Sequence, residues 1–239
     1  MCRHAAWLGA PRPASCLVDE PEHGLLRQSY APRRQRFGMV NADGFGIGWY
    51  DPARREPVRY RRAVPIWTDA NLPALASVAR STCVLAAVRS ATVGMPIEES
   101  ATAPFADRHW LLSHNGRVNR DALSDLADDL PGRAESTCDA AWVAAAVFLD
   151  GRAGAGLADA LASVVVRAGT KDPEARLNLL ACDGASVAAT VWGDTLFHRR
   201  LDDGVVVSSE PLDDLPGWRA VPERSLLTVT GDDISVQPL

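Results

Sequence analysis

Apolar and polar positions along the chain change their period twice. Residues 2–8 read as a short strand entering the core, expected to break at Pro11 and Pro13, and 83–88 as a buried apolar strand. Residues 45–50, Phe-Gly-Ile-Gly-Trp-Tyr, alternate large side chains with glycine behind an Asn41-Ala42-Asp43-Gly44 turn. That alternation marks a strand closely approached by another backbone, with the N-terminal strand as the expected partner. Residues 57–63 read as a neighbouring strand, and 68–80 as a helix opening near Thr68 or Asp69. Residues 110–113 form a short apolar strand, closed by His114-Asn115-Gly116 as a turn.

The Ala-rich stretch 139–148 and the stretch 157–166 are helical by propensity. Beyond them the period returns to two, with strands expected at 176–182, 187–192, 195–200, 204–209 and 225–237. Strands, then helices, then strands again predict a layered α+β domain, not an alternating parallel array. With 239 residues and no break in composition, one domain spanning 1–239 is expected.

Composition narrows the function classes. Twenty-five basic and 30 acidic residues leave a net charge of −5, so no basic field is available for a phosphate backbone and nucleic acid is not an expected partner. No apolar run is long enough to span a membrane, and Arg3-His4 is not followed by a secretory core, so a cytoplasmic protein is expected. Five cysteines without a Cys-x-x-Cys pair suggest neither a disulfide framework nor a zinc knuckle. The histidines show no metal-ligand spacing, so neither a metal nor another cofactor is expected.

Five residues carry candidate chemistry. Cys2 becomes the first residue once Met1 is removed, and a free α-amine, with a pKa of about 7.7–8.0, then sits beside its thiol as a base. Cys2 is either that nucleophile or a small apolar residue at a chain end. Asn115 and Gly116 supply either an amide and a backbone N–H to an oxyanion, or an ordinary turn. Arg89, at the end of an apolar strand, is either a carboxylate clamp or a surface arginine. Asp139, opening a helix, either receives an ammonium group or favours the helix start.

Taken in order, Met1-Cys2-Arg3-His4, the segment 41–50, Arg89-Ser90-Ala91-Thr92 and His114-Asn115-Gly116, with Asp139 downstream, resemble the class II glutamine amidotransferases, a family of N-terminal-nucleophile hydrolases. The resemblance implies a four-layer αββα sandwich, Cys2 as nucleophile and Asn115 with Gly116 as the oxyanion hole. It further implies Arg89 on the glutamyl α-carboxylate, Asp139 on the α-amino group and Thr92 lining the same pocket. The sequence departs from the family in Arg3-His4 after the cysteine, in Val93 where His often follows Thr, and in Ala140-Ala141 after the aspartate.

The Cys-Arg-His start, Ser29-Tyr30-Ala31-Pro32-Arg33-Arg34, the segment 88–96 and Trp192-Gly193-Asp194-Thr195 are similar to the ergothioneine-biosynthesis branch of that family. This similarity implies hydrolysis of γ-glutamyl-hercynylcysteine S-oxide to glutamate and hercynylcysteine S-oxide. Its alternatives are a glutaminase subunit that supplies ammonia to a synthase and an inactive glutamyl-binding homologue. Trp7, Phe45 and Trp110 are aromatic candidates for the trimethylammonium end of such a substrate.

Overall fold

The computed structural model describes residues 2–124, 126, 129–231 and 233–239. Met1, whose removal the nucleophile reading requires, and Asp232, inside the expected 225–237 strand, lie outside them. The strands are β1 (Arg3–Pro13), β2 (Phe45–Trp49), β3 (Val58–Arg62), β4 (Arg80–Val88), β5 (Phe105–Asp107), β6 (Trp110–Arg117), β7 (Arg176–Cys182), β8 (Ser186–Val191), β9 (Phe197–Leu201), β10 (Gly204–Ser208), β11 (Arg219–Ala220), β12 (Ser225–Thr230) and β13 (Asp233–Pro238). The helices are α1 (Ser15–Val18), α2 (Leu25–Tyr30), α3 (Leu72–Val78), α4 (Arg120–Ser124), α5 (Leu130–Arg133), α6 (Asp139–Arg152) and α7 (Leu157–Lys171).

Strands pair into a seven-stranded sheet, β11-β9-β10-β1-β4-β2-β3, and a six-stranded sheet, β13-β12-β8-β7-β6-β5. Alternation of side chains along each strand sorts them into three apolar layers. Ala6 and Leu8 of β1 meet Leu111 of β6, Leu180 of β7 and Leu227 of β12 between the sheets. Ala5 and Trp7, on the opposite face of β1, pack with Leu17, Leu25 and Leu72 of the short helices. Leu112 of β6 and Leu179 of β7 face Val143, Val147, Leu161 and Val165 of α6 and α7. The result is the αββα layering, with β1 in the middle of one sheet and β6 and β7 beneath it in the other.

Several local expectations change. β1 does not break at its prolines; it continues to Pro13 through a register shift between Leu8 and Arg12. Its pairing with β10 ends at Gly9, so Pro11 and Pro13 lie where no N–H is required on that side. β2 pairs with β3 and β4, not with the N-terminal strand, because β4 lies between them. The close approach that its glycines permit comes from elsewhere: a Cβ on Gly46 would meet the Ala103 carbonyl at 2.2 Å, and one on Gly48 the Leu111 side chain at 2.7 Å.

The expected turn at 114–116 is the interior of β6, with Asn115 opposite Asn178 and Gly116 opposite Leu177. Helix 68–80 shortens to α3, since Arg80 already belongs to β4. The 225–237 strand is two paired strands, β12 and β13.

Candidate active site

Cys2 immediately precedes β1, and the pairing of Arg3 with Val88 sets it beside the end of β4. The residue is partly buried, and its Sγ lies 3.9 Å from the Ser90 carbonyl oxygen. Arg3 Nε donates to the Cys2 carbonyl at 2.8 Å, which fixes the backbone that carries the thiol. The other cysteines are less suited to nucleophilic attack. Burial pushes the Cys16 thiol up to about 12, Cys83 is raised by its hydrogen bond with Cys182 and by burial, and Cys138 is raised by burial.

Arg89 follows β4 directly. Its N–H donates to the Gly44 carbonyl at 2.7 Å, its carbonyl accepts from Asp43 N–H at 2.9 Å, and Asp43 Oδ2 accepts Ala91 N–H at 2.8 Å. The 41–44 turn therefore braces the backbone on both sides of the arginine. Its side chain is buried, not on the surface, and Nη1 has no hydrogen-bond partner among the described residues. A buried guanidinium with an unused donor is suited to an anionic ligand. Cys2, Arg89, Thr102, Ser113, His114 and Ala140 line one pocket.

Asn115 and Gly116 follow the pocket-lining Ser113 and His114 on β6 and, like Asp139, are not themselves among the residues that line the pocket. Asn115 is fully buried; its Nδ2 donates to Asp194 Oδ2 at 3.3 Å, and its Oδ1 is without a partner among the described residues. A Cβ at Gly116 would lie 1.8 Å from the Arg176 carbonyl oxygen, so the glycine permits close contact between β6 and β7 and is not serving a positive φ. His114 Nε2 lies 2.9 Å from that same carbonyl, which can only accept, so this ring nitrogen carries the proton.

Asp139 is the first residue of α6 and is buried. Its Oδ1 accepts Ala140 N–H at 2.9 Å and its Oδ2 accepts Val118 N–H at 3.1 Å, tying the helix start to the chain two residues beyond Gly116. Each oxygen retains a lone pair. Thr92 is exposed in a 92–95 turn closed by Met95 N–H on its carbonyl, and it is not among the residues lining the pocket. Trp7 and Phe45 pack under the short helices, also outside the pocket.

Sequence reasoning placed two charged residues close to this site, Arg3 and Asp194, only within matching segments and missed that they pair. Arg3 Nη2 and Asp194 Oδ2 are 2.5 Å apart and both side chains are fully buried. Asn178 holds Asp194 by both sides of its backbone, donating from Nδ2 to its carbonyl at 2.9 Å and accepting its N–H on Oδ1 at 3.1 Å. The available signal was a guanidinium at the head of an apolar strand, which demands a buried counter-charge. For a metal, Glu22, His23 and Asp214 form the group with suitable spacing among the described residues, and none of them lines the pocket. No helix among the described residues is long and apolar enough to cross a membrane.

The family model for class-II glutamine amidotransferases matches residues 25–190. Over 242 residues the chain is 52% identical to the γ-glutamyl-hercynylcysteine sulfoxide hydrolase of Mycolicibacterium smegmatis, with 100% of each chain covered. It is 51% identical to the protein of the same name from Mycobacterium tuberculosis, covering 100% of this chain and 97% of that one. Among solved structures, a glutamine aminotransferase class-II domain protein from Silicibacter pomeroyi has the same fold, with a TM-score of 0.71 at 24% identity and 99% of both chains covered.

Proposed function

Because the chain belongs to the class-II glutamine amidotransferases, we propose that it hydrolyses the γ-glutamyl amide of γ-glutamyl-hercynylcysteine S-oxide, releasing glutamate and hercynylcysteine S-oxide. The observation that carries this reading is the 52% identity, over the whole of both chains, to a hydrolase named for that substrate. One domain of 239 residues serves the single reaction, and its five unpaired cysteines suit a reducing, cytoplasmic setting.

In the proposed mechanism Met1 is removed and the Cys2 α-amine, with an ordinary pKa of about 7.7–8.0, takes the thiol proton. The thiolate attacks the γ-carbonyl, and the oxyanion is met by the Asn115 side-chain amide and the Gly116 N–H. Collapse breaks the C–N bond, and the protonated α-amine returns its proton to the departing nitrogen. Water, activated by the same amine, then cleaves the glutamyl thioester to glutamate and restores the thiol.

The glutamyl group is selected through its two charges. The buried, unpartnered Nη1 supports Arg89 as the clamp for the α-carboxylate. The remaining lone pairs of Asp139, whose neighbour Ala140 lines the pocket, support it as the acceptor of the α-ammonium. Thr92, three residues after Arg89, contributes backbone contacts to the same glutamyl group.

The test is an assay of glutamate release from γ-glutamyl-hercynylcysteine S-oxide and, in parallel, from glutamine. Preference for the former by kcat/KM is expected. Equal or better turnover of glutamine, with stimulation by a synthase, would replace this reading by that of an ammonia-supplying subunit.

A further inference from the structure

The Arg3–Asp194 pair buries two charges beside the reacting residues, and such a pair is weak evidence for stability because desolvation offsets the attraction. Its hydrogen bonds suggest another role. Asp194 Oδ2 accepts from Arg3 Nη2 at 2.5 Å and from Asn115 Nδ2 at 3.3 Å, while Arg3 Nε donates to the Cys2 carbonyl at 2.8 Å. One unbroken chain of contacts thus runs from the backbone of Cys2 through Arg3 and Asp194 to the amide of Asn115.

We propose that Asp194 is a positioning residue that orients the Asn115 amide toward the oxyanion, with Arg3 locking Asp194 and the Cys2 backbone into one unit. This rests on the reading of Asn115 as an oxyanion donor. A carboxylate only accepts, so it selects the Nδ2 end of the Asn115 amide over the Oδ1 end. Nδ2 carries two hydrogens; one is held by Asp194, and the second is left in a fixed direction for the developing charge.

Asp194 is itself held in place. Asn178, directly opposite Asn115 in the β6–β7 ladder, grips its backbone, and Thr195 N–H donates to its Oδ1 at 2.8 Å. The carboxylate is therefore set before substrate arrives, as preorganised stabilisation of a transition state requires.

The test is a double-mutant cycle on Asp194→Asn and Asn115→Ala, read as kcat and KM on the γ-glutamyl substrate. Loss of one oxyanion donor costs about 10²- to 10³-fold in kcat, and Asp194→Asn is expected to lose about 10- to 100-fold with KM within about threefold. In the Asn115→Ala background the same substitution should cost less than about threefold, because both act through one amide. The double variant Arg3→Met/Asp194→Leu removes both buried charges together, so it should unfold cooperatively near the wild-type temperature yet be at least as slow as Asp194→Asn, since the Arg3 bond to the Cys2 carbonyl is lost as well. It carries the test if Asp194→Asn does not fold. Wild-type kcat in that double variant, or a full additive loss in the Asn115→Ala background, would overturn the proposal alone. Undiminished kcat in Asn115→Ala would instead remove the oxyanion reading, and the proposal with it.

Discussion

His4 Nδ1 lies 3.2 Å from Ser113 Oγ, joining β1 of one sheet to β6 of the other. His4 is two residues after Cys2 and Ser113 is two residues before Asn115. The contact therefore fixes the separation of nucleophile and oxyanion donor across the sandwich. It also constrains the charge of the imidazole. Full burial, then the guanidinium of Arg3 and the neighbouring imidazole of His114, lower the His4 pKa from 6.5 to about 3, so the ring is neutral at working pH.

That lowering makes stability depend on pH. The unfolded chain binds a proton at His4 below about pH 6.5 that the folded chain refuses until about pH 3, so stability is complete above 6.5 and falls through this window as pH drops. The loss attributable to His4 is roughly 3–5 kcal/mol. His198, lowered mainly by burial, acts in the same direction, so the informative quantity is a difference. Urea titrations between pH 7 and pH 4 should show a shallower decline for His4→Gln than for the wild type; equal slopes would exclude His4 as the source.

Replacing Cys2 by alanine deletes the attacking sulfur and leaves the pocket walls in place. Turnover should fall by at least about 10³-fold. Substrate should still bind, as read by calorimetry, because the charge contacts proposed for Arg89 and Asp139 remain. Intact-mass measurement on the active wild type should show that the initiator methionine is absent. Activity with Met1 retained would contradict the α-amine as base.

Arg89→Lys preserves charge and removes the planar fork. Hydrogen bonds to charged groups contribute about 1.5–3 kcal/mol, so KM should rise by about 10- to 100-fold while kcat changes less. A KM equal to that of the wild type would take Arg89 out of the binding site.

Gly116→Ala sets a methyl group against the Arg176 carbonyl, which is backbone and cannot rotate away. Separation of β6 from β7 should lower stability by about 1–3 kcal/mol in denaturant unfolding and reduce kcat, since the same strand presents Asn115. A stable variant with full activity would show that the two strands tolerate a wider gap than this register implies.

Much of this protein was legible along the chain. Apolar segments of strand length located most of β1 and β4, alternation located β2 and β7–β10, and the Ala-rich run located α6, because these signals are local to each element. The ordered segments around Cys2, Arg89, Asn115 and Asp139 pointed to one family, and Cys2 and Arg89 do line a common pocket. The four-to-six-residue helices α1 and α2 were missed, since helices that short form only where tertiary packing compensates for costly nucleation.

What tertiary structure alone decided was partnership. His114-Asn115-Gly116 has the composition of a turn, yet it lies within β6 because Arg176 and its neighbours pair along it. The glycines of β2 signalled a close approach without revealing that residues 103–111 make it. Arg3 and Asp194 are 191 positions apart, and their pairing follows from two sheets stacked with β1 above β6 and β7. Residue types and periodicity specified the elements and the available chemistry. Which groups meet depended on strand order and sheet stacking, because contacts between distant segments leave no periodic trace in either one.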